Sequence, residues 1–142
     1  ARKWFHPVGF CALGNALPNA IGAKMALPST PGIVLVGDGG FMFSMPELLT
    51  AKERNLSLPI IIWENGGYKQ IQDDMKIRNI DLVGVEGLNP DFVKLAEACH
   101  CNSVYADNKE IFVEAFKKAL LNDRPTIIIV KENYDWLAEE KN

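Results

Sequence analysis

The apolar run Ile33-Val34-Leu35-Val36 passes straight into the turn Gly37-Asp38-Gly39-Gly40. Such a run reads as a buried strand of a parallel sheet, and Ser44-Met45-Pro46-Glu47 soon after it reads as a helix start. A chain that leaves a strand through glycines and re-enters as a helix belongs in an α/β fold, with its site at the strand tips. Glycines there let backbone N–H groups approach a phosphate, which a helix N-terminus also favours. Asp38 within the turn would repel a phosphate unless a cation lay between them. The economical reading is a metal-bridged polyphosphate site.

A second apolar strand, Pro59-Ile60-Ile61-Ile62-Trp63, is followed closely by Asn65, 27 residues after Asp38. Neighbouring parallel strands present their C-terminal ends on one edge, so both residues can reach one ion. The Asp38 carboxylate, the Asn65 amide oxygen and a free backbone carbonyl at Gly66-Gly67 are hard oxygen donors. They suit Mg²⁺, with diphosphate oxygens and water completing the octahedron.

The remaining pattern alternates helices with strands. Asn15 is placed to cap a helix to about Leu27, Ser44 and Glu47 to form a capping box for a helix to about Asn55, and Tyr68 to open a helix to about Ile80. Asn89-Pro90-Asp91 opens a helix whose Phe92, Leu95, Ala96 and Cys99 share one face. Ser103–Tyr105 is a short strand. Asn108 starts a helix burying Phe112, Ala115, Phe116, Ala119 and Leu120, and Thr126–Val130 is a third strong strand. The expected fold is a doubly wound parallel sheet flanked by helices.

Composition narrows the function. The 142 residues suffice for one domain with a core. A net charge of −3 without a basic run argues against a nucleic-acid surface. No apolar stretch is long enough for a membrane span, and Cys11, Cys99 and Cys101 make no disulfide framework, so a cytoplasmic protein is expected. The start at Ala1-Arg2-Lys3-Trp4, almost at the motifs, reads as a piece of a longer multidomain chain.

These motifs resemble a known signature. Gly37-Asp38-Gly39 followed by Glu64-Asn65-Gly66-Gly67-Tyr68 is similar to the thiamine diphosphate motif of the acetolactate synthase, benzoylformate decarboxylase and pyruvate decarboxylase superfamily. Gly9 to Ala23 resembles that family's segment beneath the thiazolium ring. The resemblance runs from about Phe5 to Thr126. It departs at Glu64, where the family usually has a second Asn, and at Gly40, where many relatives carry Ser.

The resemblance implies that residues 1–142 form the C-terminal diphosphate- and Mg²⁺-binding domain of a 2-oxo acid decarboxylase or carboligase, a lyase or transferase. It assigns the metal to Asp38, Asn65 and Gly67. Gly37, Gly39, Gly40 and Tyr68 fall in the cofactor site, Leu13 becomes the wedge beneath the bent cofactor, and the Cys11 carbonyl faces the aminopyrimidine. Leu13 reads equally well as a core leucine. The family's activating glutamate belongs to a pyrimidine-binding domain of the same or a partner chain. The isolated chain is therefore expected to be inactive, with no catalytic residue of its own, and to work as a homo-oligomer. The run Tyr68–Met75 followed by Asn89–Val93 is closer to acetolactate-synthase-like enzymes of larger 2-oxo acids. Asp73 and Asp74 read first as a solvated helix face, with a cationic substrate tail as the alternative. Two alternatives stand beside this: a Rossmann-like nucleotide-binding domain, which would need a glycine where Met42 stands, and a non-catalytic assembly module. Cys99-His100-Cys101 lacks zinc-site spacing.

Overall fold

The computed structural model describes residues 4–6, 9 and 12–138. In chain order the elements are α1 (Ala16–Ala26), β1 (Val34–Gly37), α2 (Asp38–Met42), α3 (Glu47–Glu53), β2 (Pro59–Glu64), α4 (Lys69–Ile77), α5 (Phe92–Ala98), β3 (Asn102–Tyr105), α6 (Lys109–Ala119) and β4 (Thr126–Lys131). A 3-10 turn follows at Asp135–Leu137. The four strands form one parallel sheet in the order β1-β2-β4-β3.

Alternation along the isoleucine-rich central strands sends side chains to opposite faces. Ile60 and Ile62 of β2 join Ile127 and Ile129 of β4 on one face, under Leu17, Phe41, Leu48, Phe92 and Ala96. Ile128 and Val130 face the other way, with Trp63, onto Phe112, Phe116 and Ala119 of α6 and Trp136. Helices therefore cover both faces of the sheet, as the strand–helix alternation requires. Phe41 meets Phe92 edge-on with ring centroids 5.9 Å apart, joining α2 to α5.

Five local expectations are corrected. β1 is an edge strand, not one buried on both faces: Val34 is buried, but Leu35 is 55% exposed. The helix after it begins at Asp38 itself, and α3 starts only at Glu47. No capping box forms there, because Ser44 packs into the core with its Oγ unpartnered among the described residues and Pro46 occupies the cap position. Asn15 likewise makes no cap bond; its amide donates to the Ala12 carbonyl at 2.8 Å. On α6, Ala119 is fully buried, whereas Phe112, Ala115 and Phe116 are half-buried against the second face. Leu120, the helix's cap residue, is half-buried as well.

Candidate functional site

β1 and β2 run side by side in register from Val34 opposite Ile60 to Gly37 opposite Trp63, so their tips end level. Asp38 leaves the first tip and the 65–67 loop leaves the second. Asp38 is completely buried. Its Oδ2 accepts the backbone N–H groups of Asn65, Gly66 and Gly67 at 3.2, 2.8 and 3.1 Å. The side-chain amide of Asn89 donates to the same oxygen at 2.7 Å. Oδ1 accepts only the Gly39 N–H, at 2.8 Å, among the described residues. A buried carboxylate is tolerable only with such donors, and charge-assisted hydrogen bonds are the stronger kind.

The loop at the second tip is shaped by its neighbours. Gly67 has φ +116°, and a Cβ there would lie 2.8 Å from both Gly87 N and the Val85 carbonyl oxygen, so only glycine fits. That crowding comes from an antiparallel bridge between Gly67 and Glu86. Tyr68 N–H donates to the Val85 carbonyl at 3.0 Å, and buried Gln72 of α4 donates to the same carbonyl at 3.0 Å and to that of Gly66 at 3.3 Å. The Gly67 carbonyl is turned toward the first tip: a Cβ at Gly39 would sit 3.0 Å from it.

The donor set fits a hard cation. Asp38 Oδ1 carries a single hydrogen bond, and the Asn65 side chain and the Gly67 carbonyl accept none among the described residues. All are oxygens, the ligands Mg²⁺ takes. Leu13 lies beside the glycine turn, because a Cβ at Gly40 would be 3.7 Å from its Cδ2. It is 52% exposed, which excludes its reading as a core leucine. Tyr68 reaches over Gly39 and meets Phe43 with ring centroids 6.4 Å apart. The structure thus gathers Leu13, Gly37, Asp38, Gly39, Gly40, Asn65, Gly67 and Tyr68 around one edge of the sheet. Cys11 lies outside the described residues.

Other acids and thiols lie outside this donor set. Glu64 borders an open pocket of about 450 Å³ with Asn65, Gly66, Lys131, Glu132 and Asn133, and its Oε2 is buried without a partner among the described residues. Asp73 is paired with Lys69 one helical turn away, and Gln70 donates to Asp74 at 3.3 Å. Burial, with Cys99 nearby, pushes the Cys101 thiol up to about 11, and His100 sits between the two cysteines at φ +58°. The reading of the sequence missed Asn89 and Gln72. Asn89 looked like a helix-entry residue and Gln72 was only one residue of the run Tyr68–Met75, and nothing in their spacing joins either to residues 38 or 66.

Comparison with known proteins identifies the family. Residues 1–130 match the model for the thiamine pyrophosphate enzyme, C-terminal TPP binding domain. The chain is 48% identical over 101 residues to a probable 2-ketoarginine decarboxylase of Pseudomonas aeruginosa, covering 70% of this chain and 18% of that protein. It is 31% identical over 134 residues to an acetolactate synthase of Mycobacterium bovis, covering 89% and 22%. Among solved structures, a thiamine diphosphate-dependent 4-hydroxybenzoylformate decarboxylase of Rhodococcus jostii superposes with a TM-score of 0.79 at 37% identity, over 87% of this chain and 24% of that one. The chain therefore spans about a fifth of the length of these relatives. The Rossmann and assembly-module alternatives are not favoured. The buried aspartate at the β1 tip, the loop folded onto it and the match over residues 1–130 converge on one conclusion: the chain belongs to the thiamine pyrophosphate enzyme family, as its C-terminal TPP binding domain.

Proposed function

We propose that this domain serves a 2-oxo acid decarboxylase or carboligase, holding thiamine diphosphate through Mg²⁺ at Asp38, Asn65 and the Gly67 carbonyl. The observation that carries the reading is the Asp38 carboxylate, with Oδ2 saturated by the 65–67 loop and Asn89, and Oδ1 left with one hydrogen bond. The cation would neutralise both the aspartate and the diphosphate, removing the repulsion between them. Gly37, Gly39, Gly40 and Tyr68 would line the diphosphate end, with the absence of side chains at the glycines allowing close approach. Leu13 would support the cofactor's bend, and the Cys11 carbonyl would accept from its aminopyrimidine. When bound, the cofactor supplies a nucleophilic carbon and an electron sink for loss of carbon dioxide from a 2-oxo acid. This chain's share is positioning and charge neutralisation.

The activating glutamate would come from a pyrimidine-binding domain of the same or a partner chain, in a homo-oligomer. The relative named for 2-ketoarginine supports a basic 2-oxo acid as substrate. A cytoplasmic enzyme accords with these parts; among the described residues no helix is long and apolar enough to cross a membrane. Calorimetric titration with thiamine diphosphate tests the reading. Binding is expected to require Mg²⁺, to be abolished by a chelator and to weaken in Asn65→Ala, while NAD gives no heat. Binding that ignores Mg²⁺ overturns the metal assignment. The 142 residues alone are expected to turn over no 2-oxo acid until the pyrimidine-binding domain is added; turnover without it overturns that division of labour.

A further inference from the structure

The two oxygens of a carboxylate are chemically equivalent until their surroundings distinguish them. At Asp38 the distinction is sharp, since Oδ2 takes the loop N–H groups and Asn89 while Oδ1 takes only Gly39. The backbone donors belong to the same loop as Asn65 and move with it. Asn89 comes from another segment, 51 residues from Asp38, and is its side-chain partner among the described residues. That segment is held to the metal loop mainly by polar links. Tyr68 N–H and Gln72 reach the Val85 carbonyl, and Gly87 N–H reaches the Gly66 carbonyl at 3.4 Å. Val85 is buried, but Glu86, Gly87 and Leu88 are exposed, so little apolar burial fixes the segment.

We propose that Asn89 is a positioning residue for the cation site: its bond to Asp38 Oδ2 leaves Oδ1 as the oxygen offered to the metal and couples occupancy to the seating of Val85–Asn89. The inference rests on the Mg²⁺ reading above. Removing the donor leaves Oδ2 held by the loop N–H groups alone, so the carboxylate follows the loop's motion and loses its fixed aim at the metal. Mg²⁺ demands a nearly ideal octahedron, whereas Ca²⁺ accepts irregular geometry. Loss of orientation therefore penalises Mg²⁺ more than Ca²⁺.

The test measures thiamine diphosphate binding to the full-length protein as a function of Mg²⁺ and, separately, Ca²⁺. Asn89→Leu keeps the side chain's bulk without its donor, and Asn89→Ala serves as a second variant should the first fold poorly. Either is expected to raise the Mg²⁺ needed for half-maximal binding by about tenfold, the usual scale for residues that orient a metal ligand. The Ca²⁺ requirement should rise much less. Hydrogen exchange supplies a second readout: cofactor plus Mg²⁺ should protect the Tyr68 and Gly87 amides in the wild type and fail to do so in the variants. An unchanged Mg²⁺ requirement overturns the proposal, and so does an equal loss for both cations, which marks a general structural prop. Wild-type binding indifferent to Mg²⁺ brings down the metal reading itself, and the positioning role with it.

Discussion

Asp38 has no solvent contact, so every lone pair it uses must find a donor within the fold. Those donors come from Gly39, the 65–67 loop and Asn89, segments that meet only when the sheet and α5 are in place. Asp38→Ala would leave the loop N–H groups facing a void. It is expected to destabilise the fold by about 3 kcal/mol or more, since each hydrogen bond to a charged group contributes about 1.5–3 kcal/mol. Urea unfolding followed by circular dichroism checks this, and a variant as stable as the wild type would refute the clamp. The aspartate and its glycines were legible in the sequence because a strand–glycine–acid–helix order is local. Asn89 was not, because its bond to Asp38 joins segments 51 residues apart, which no local pattern pairs. At Gly40 a Cβ would make only ordinary contacts at 3.5 Å or more, so a serine would fit there.

Among the elements, helix starts separate what local pattern settles from what it does not. Asp91 and Asn108 cap α5 and α6 as their sequences propose: Asp91 accepts from the N–H groups of Val93 and Lys94, both at 3.1 Å, and Asn108 from Ile111 at 2.8 Å. Ser44 and Asn15 carry equally good capping side chains and fail to cap. Ser44 is drawn into the core, and Asn15 sits in helical backbone rather than the extended form that aims a cap oxygen at the helix. The Lys94 N–H, opposed by desolvation and helped by the Lys94 side chain, holds the Asp91 carboxyl below its ordinary 3.8. A lowered folded value stabilises the protein above pH 3.8, and the contribution is lost as pH falls through the folded value. Asp91→Asn keeps the accepting oxygen without titrating. Thermal melts are expected to show the wild type losing more stability than this variant on acidification below pH 3.8. Parallel pH profiles would deny the cap that role.

For the whole molecule, the sheet is unevenly covered. β4 is buried along almost its full length between the helical layers, whereas β1 leaves Leu35 exposed at the sheet edge. Ile128→Ala is expected to cost about 3 kcal/mol, typical of a truncated core isoleucine. Leu35→Ala in this chain should stay within about 0.5 kcal/mol, as for surface changes. Chemical denaturation compares the two directly, and similar costs would mean that the edge of β1 is not bare. Runs of β-branched residues, helical periodicity and the Gly-Asp-Gly turn are short-range properties, and they were enough to specify parallel strands, the alternating helices and the sheet edge where the candidate site gathers. Burial of Asp38, the edge position of β1 and the recruitment of Asn89 and Gln72 depend on which segments become neighbours after folding. No local spacing encodes that, because hydrogen bonds across tens of residues exist only once the layers have packed.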